Sequence, residues 1–218
     1  MSILLVIATF FFDIEYTFVL FLINLVLFTV YDYKATGRFN SIYFGFLTLL
    51  MIAEVGFLYD YETYIVPVTF AYLVSQLCFL WLLKPMLDIK IKNFSTHNLL
   101  ELIIGFVGIS FIIVYVLYLL FPLIPNVALF LPSSIAFILT VLLIFGIPFF
   151  NKHPDNIMLW GIGGGITGEM LFGFVYQYIS DYRLFIVLAF IFGTFFRVLF
   201  ATYLVRIKDI KATENDYN

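Results

Sequence analysis

The chain has 218 residues, of which 64% are hydrophobic and 11% are charged, and its formal net charge is −3. A soluble domain is about 45–50% apolar and about 25% charged, so this composition predicts an integral membrane protein with little room for a soluble domain. The negative charge and the lack of a basic patch exclude nucleic acid as a natural partner. The single cysteine, Cys78, excludes an internal disulfide bond.

The chain begins with two apolar runs, Ser2 to Phe12 and Tyr16 to Tyr31, which the acidic residues Asp13 and Glu15 separate. The first run is short for a membrane span, so the pattern fits either two short helices or one long tilted helix. We favour two helices, because the acidic residues then lie in an external turn. The start has no basic segment or cleavage pattern, so no removed signal peptide is predicted.

Six further apolar segments follow. The predicted helices are Ser41 to Leu58, Ile65 to Leu83, Leu99 to Phe121, Val127 to Phe150, Ile157 to Tyr178 and Leu184 to Val205. Each can cross most or all of a hydrocarbon core of about 30 Å. The sequence therefore predicts an all-α fold, a polytopic transmembrane helix bundle of eight spans, with seven as the alternative. Residues 1–206 form its single transmembrane domain, and residues 207–218 form a charged tail, with the chain expected to fray from Arg206 onward.

Lysine and arginine residues lie in alternate loops. Nine of the eleven are in residues 32–40, 84–98, 151–156 and the C-terminal segment that starts at 206. The positive-inside rule therefore predicts a multi-pass protein of the inner (cytoplasmic) membrane with a cytoplasmic C-terminus. The spans could also form two parallel four-helix halves, 1–84 and 98–206, because superposing Glu54 on Glu169 also superposes Tyr61 on Tyr176.

Two glutamates, Glu54 and Glu169, lie inside predicted membrane helices. A charge at membrane depth costs about 2.5–3.5 kcal/mol on insertion scales, so such residues usually face the bundle interior and mark a function. Two carboxyl groups that meet in a dry site cannot both ionise, and they can then act as an acid and a base. We therefore predict that Glu54 and Glu169 are catalytic. The alternative is that each carboxyl only bonds a neighbouring hydroxyl or arginine.

Four other polar residues are candidates for substrate binding. Arg197 lies at membrane depth on the last helix, where it is also the natural counter-ion of Glu169. Gln76, Tyr61 and Tyr176 are candidate pocket residues, and ordinary polar packing is the alternative for each.

Five glycines precede Glu169 within the same predicted helix, and they predict close helix packing through the 161/165 and 164/168 spacings. They are Gly161, Gly163, Gly164, Gly165 and Gly168. The two histidines lie in predicted loops and no G-x-S-x-G motif is present, so the sequence supports neither a zinc nor a serine hydrolase site. No metal and no cofactor is predicted.

The chain resembles the lysoplasmalogenase (YhhN-like) family of integral membrane proteins. The resemblance rests on the length, on eight spans with both ends inside, and on acids near the ends of the third and seventh spans. The matching stretches are IAEVGFLYDY, with Glu54, and ITGEMLFGFVYQY, with Glu169, and Gln76 matches a polar residue near the centre of the next helix. The chain departs from the family in having glutamates where the family has aspartates, and in lacking a Lys-Pro near the second span and a histidine in the fourth.

The resemblance implies hydrolysis of the vinyl ether bond of a lysophospholipid, which gives an aldehyde and a glycerophospho head group. The departures imply a divergent member, in which this activity is retained, altered or lost. Glu169 would be the acid and Glu54 the base, with the reverse assignment nearly as good.

The competing hypothesis is a non-catalytic subunit of a membrane protein complex or a small transporter. The two glutamates and Arg197 would then form structural pairs or a proton or ion relay. Acids facing a lipid-open cavity would favour the enzyme, and a closed, water-free pair of Glu169 with Arg197 would favour the second hypothesis.

Overall fold

The computed structural model describes residues 14–87, 96–123, 126–150 and 153–212, and the structure of these residues is helical without strands. The α-helices are α1 (Ile14–Thr36), α2 (Ser41–Leu87), α3 (Thr96–Leu120), α4 (Val127–Phe150), α5 (Ile157–Tyr178) and α6 (Arg183–Ala212), and short 3₁₀ helices precede α4 and α5. In this part of the chain, α2, α4, α5 and α6 are long and apolar enough to cross a membrane. The predicted all-α class is therefore confirmed. The run Ser2 to Phe12, and with it the choice between one and two N-terminal helices, lies outside the described residues.

Helix α2 contains a kink that divides it into two helical segments. The backbone is non-helical at Asp60 (φ −162°, ψ 85°) and at Tyr64 (φ −102°, ψ 17°). The Asp60 carboxylate accepts a hydrogen bond from the backbone N–H of Thr63 at 3.1 Å, as an N-cap residue does at the start of a helix. Pro67 has no N–H to offer the carbonyl of Thr63. The rings of Phe46 and Phe79, one from each segment, have centroids 5.5 Å apart, so the second segment returns alongside the first. The predicted turn at residues 59–64 is therefore confirmed.

Local capping explains where several of the other helices begin and end. Gly37 follows the end of α1 with a φ of 69°, a conformation that favours glycine. The side chain of Asn40 accepts a hydrogen bond from the N–H of Tyr43 at 3.1 Å at the start of α2, and Asn126 accepts one from Leu129 at 3.3 Å at the start of α4. The predicted bounds of α4 and α5 agree with the structure.

Glycines let α5 and α6 pack at close range. A Cβ atom at Gly165 would lie 2.7 Å from the Cβ of Phe196 and 3.1 Å from the backbone carbonyl oxygen of Phe192. Gly161 and Gly168 also face α6, whereas Gly164 has no atom within 4 Å of its Cβ position. The predicted 161/165 contact is therefore confirmed, but the face continues to Gly168 without Gly164. The reason is that residues 161, 165 and 168 share one side of a helix with 3.6 residues per turn.

We expect Gly165→Ala to destabilise the protein by about 1–3 kcal/mol, because the added methyl group would meet backbone atoms of α6 that cannot move without separating the helices. The matched variant Gly164→Ala adds the same methyl group one residue earlier, into open space. It should be as stable as wild type or up to about 1 kcal/mol more stable, because alanine is the better helix former. Reversible unfolding in mixed micelles measures both. Equal losses in the two variants would contradict this packing.

Aromatic side chains fill the core beside α6. Phe46 and Phe79 of α2 pack against Phe196 and Phe200 of α6, and the rings of Phe79 and Phe200 are stacked with centroids 4.1 Å apart. All four side chains are fully buried. Because Arg197 follows Phe196 directly, this core holds the arginine at a defined position relative to α2.

The C-terminal part of α6 is held by contacts with the 3₁₀ turn before α5. Arg206 donates a hydrogen bond to the carboxylate of Asp155 at 2.5 Å, and the hydroxyl of Tyr203 donates one to the side-chain oxygen of Asn156 at 2.9 Å. Ile210 is fully buried. The prediction that the chain frays from Arg206 is therefore wrong for residues 206–212, because a buried apolar side chain and an ion pair stabilise this end of the helix. Residues 213–218 lie outside the described part of the chain.

Candidate functional site

Three charged residues from three helices meet inside the bundle. The Nη2 atom of Arg197, on α6, donates a hydrogen bond to Oε1 of Glu169, on α5, at 2.8 Å, and also to Oε1 of Glu54, on α2. The arginine side chain is 8% exposed, while the Glu54 and Glu169 side chains are 17% and 18% exposed. The structure therefore brings both predicted acids together through one guanidinium group. We call these three residues the ion triad.

A glycine makes room for the ion triad. Gly193 lies one helical turn before Arg197, and a Cβ atom at this position would overlap the carboxyl group of Glu169. Any larger residue would displace that carboxyl group from its place beside the guanidinium. Sequence reasoning missed Gly193, although a glycine four residues before an arginine within an apolar helix was a usable signal.

The charges of the ion triad do not balance. Two carboxylates and one guanidinium leave one negative charge when all three groups are ionised. A net charge in a low-dielectric interior is unfavourable, and a proton shared between the two carboxyl groups would neutralise it. In that state, one carboxyl group is an acid that can donate a proton, and the other is a base paired with the arginine.

A cavity of about 130 Å³ lies against the ion triad and is partly open to the surface of the bundle. Glu54 and Glu169 both line it, and most of its other lining side chains are aliphatic or aromatic. The hydroxyl-bearing side chains in the lining are Tyr61, Thr69, Tyr72, Ser133 and Ser134. Two acidic residues therefore line a space that suits an apolar molecule. We call it the large cavity.

A second, smaller cavity of about 20 Å³ lies on another side of the ion triad, between α1, α2 and α6. Glu54 and Arg197 line it together with Asn24, Thr194 and a few apolar side chains. Glu54 therefore lines both spaces. We call this space the small cavity.

The predicted substrate-binding residues occupy different places. Tyr61 lines the large cavity, and Arg197 lines the small one. Gln76 and Tyr176 are in the lining of neither cavity. Gln76 is fully buried beside Tyr72. Tyr176 packs against Phe21 of α1 and Phe190 of α6. A role for these two residues in substrate binding stays a prediction.

Sequence reasoning missed the polar residues of α4 that reach the large cavity. Ser133 donates a hydrogen bond to the backbone carbonyl of Thr69 at 3.1 Å, and so ties α4 to α2 at the cavity wall. Ser134 bonds the carbonyl of Phe130 within its own helix. The pair of serines after Pro132, in an otherwise apolar run, was the available signal.

Within the described ranges, no group of three or more histidine, cysteine, aspartate or glutamate side chains could hold a metal ion. Comparisons with models of known protein families, with curated proteins and with solved structures each give no match. The function of the chain is therefore inferred from its own residues and their geometry.

Proposed function

We propose that this protein is a membrane-embedded lipid hydrolase of the lysoplasmalogenase type, which cleaves the vinyl ether bond of a lysophospholipid. The observation that carries the proposal is that Glu54 and Glu169 line one apolar cavity and that their carboxyl groups share the guanidinium of Arg197. The apolar lining suits the alkenyl chain of such a lipid, and the partial opening would admit it from the bilayer.

Vinyl ether hydrolysis needs one acid, one base and one water molecule. The acid adds a proton to the alkene carbon farther from the ether oxygen, which leaves a cationic carbon bonded to that oxygen. Water adds to this carbon while the base takes a proton from the water. In the resulting hemiacetal, the hydroxyl group loses its proton and the ether oxygen gains one as the C–O bond breaks. The products are an aldehyde and the glycerophospho alcohol. No co-reactant other than water is consumed.

The geometry favours Glu169 as the acid and Glu54 as the base. Glu169 lines only the large, apolar cavity, where the alkene would lie. Glu54 lines both cavities, so it has access to the substrate in the large cavity and also to the small cavity. Arg197 pairs with whichever carboxylate is ionised and would stabilise it throughout the reaction.

The proposal includes the finer architecture that the sequence predicts: eight spans, arranged as two parallel halves, in the inner membrane with the C-terminus in the cytoplasm. Two contacts support a common side for two of the basic segments. Asp155 and Asn156, in the turn before α5, bond Arg206 and Tyr203 near the end of α6. Reporter fusions at the two ends of the chain test the orientation.

The decisive experiment is aldehyde release by the purified full chain from lysoplasmalogen in lipid or detergent. The matched control is the saturated alkyl ether analogue, which has no alkene to protonate and should release nothing. Release from the vinyl ether alone would support the proposal. Failure of wild type to exceed a protein-free detergent blank would remove it.

A second candidate function is a non-catalytic subunit of a membrane protein complex or a small transporter. The observation that favours it is that both acids are already paired with Arg197, as they would be in a purely structural ion network. On this hypothesis the ion triad maintains the fold, or relays a proton, and no aldehyde is formed.

A further inference from the structure

We infer that the small cavity is a water site from which the nucleophilic water reaches Glu54, so that water and lipid approach this carboxyl group from separate sides. This inference rests on the proposed hydrolase function and adds to it the source of the water and two positioning residues, Asn24 and Thr194.

The size and the lining of the small cavity suit water. One water molecule needs about 10–15 Å³ of such space and two to four polar partners. The small cavity offers about 20 Å³, and four of its lining residues carry polar side chains: Asn24, Glu54, Thr194 and Arg197. It is too small for a lipid chain, and its carboxylate, hydroxyl, amide and guanidinium groups provide both donors and acceptors.

The large cavity is a poorer route for water. Its lining is mostly aliphatic and aromatic, and a bound alkenyl chain would expel water from it. The side chains of Glu54 and Arg197 border the small cavity, so water held there lies next to the base and is not displaced when substrate binds. Asn24 and Thr194 would hold this water without touching the substrate, which makes them positioning residues.

The test compares Thr194→Val, which removes a hydroxyl at nearly constant volume, with Thr202→Val as its matched control. Thr202 lies two turns later on α6, where its hydroxyl bonds the carbonyl of Val198 and lines neither cavity. The first readout is an experimental structure of the full chain in lipid that resolves ordered water. We expect a water bonded to Glu54 in wild type and in Thr202→Val, and its loss in Thr194→Val.

The second readout is steady-state hydrolysis of lysoplasmalogen. We expect Thr194→Val to lower kcat about 10-fold or more with KM within about 2-fold, because water positioning acts after substrate binding. Asn24→Leu, which also fills the space, should behave in the same way, and Thr202→Val should match wild type.

The outcomes separate this inference from the proposed function. A wild-type structure without water in the small cavity, or unchanged kcat in both Thr194→Val and Asn24→Leu, overturns the inference even if hydrolysis is confirmed. Ordered water at Glu54 together with no wild-type hydrolysis overturns the proposed function, and with it the role of the water as nucleophile, and leaves the water site in place.

Discussion

Glu54→Gln and Glu169→Gln are each expected to lower aldehyde release from lysoplasmalogen by about 100-fold or more, because general acid–base groups contribute roughly 10²- to 10⁴-fold to rate. An amide can neither donate the proton that the alkene needs nor accept one from water. Glutamine still offers an oxygen to Nη2 of Arg197, so the hydrogen bonds of the ion triad can persist and the fold should be retained. Initial rates at saturating substrate measure the effect.

Glu62→Gln is the matched control for these two variants. It makes the same chemical change in the same helix as Glu54, but Glu62 is exposed at the kink of α2 and lines neither cavity. Its activity should equal that of wild type. Full activity in either Glu54→Gln or Glu169→Gln, with the protein folded, would exclude the two-carboxylate mechanism.

Arg197→Met is expected to destabilise the protein by about 3–5 kcal/mol, because it removes the shared cation of two buried carboxyl groups. The change preserves much of the apolar volume of the side chain, so the loss reports on charge more than on packing. Unfolding in mixed micelles at neutral pH measures it. The matched control is Arg206→Met, on the same helix, whose side chain is 45% exposed and pairs with Asp155. An exposed pair contributes about 0–1 kcal/mol.

A rescue variant separates the charge effect from other causes. When Glu54→Gln and Glu169→Gln are combined with Arg197→Met, no charge remains in the ion triad, and most of the lost stability should return. Should the triple variant be as unstable as Arg197→Met alone, the arginine would be stabilising the fold through packing and not through its charge.

Taken together, the activity and stability results discriminate between the two candidate functions. Loss of hydrolysis in the glutamine variants with stability preserved supports the enzyme. Loss of stability in Arg197→Met, in a protein whose wild type releases no aldehyde, supports a structural ion network in a subunit or carrier.

Most helices, and several of their ends, follow from local features of the sequence. The bounds of α4 and α5 and the break near Asp60 were all predictable, because apolar runs of spanning length and capping side chains act within a few residues. The placement of Glu54 and Glu169 within long apolar helices was also predictable, since each lies inside an apolar run of the sequence. These are local properties of a chain in an apolar environment.

Which residues meet depends on how the helices pack. Sequence reasoning named Glu169 as the counter-ion of Arg197 and left open whether Glu54 joins them, whereas the structure shows that one guanidinium bonds both carboxyl groups. It grouped Gly164 with Gly168, whereas Gly164 faces open space. It did not find the small cavity beside Asn24. The physical reason is that an apolar helix in a membrane carries little information about its rotation, because lipid and protein neighbours are nearly equally apolar. Rotation and neighbour order are therefore determined by packing, at the glycine face of α5 and the aromatic core beside α6, and these bring the three charges together.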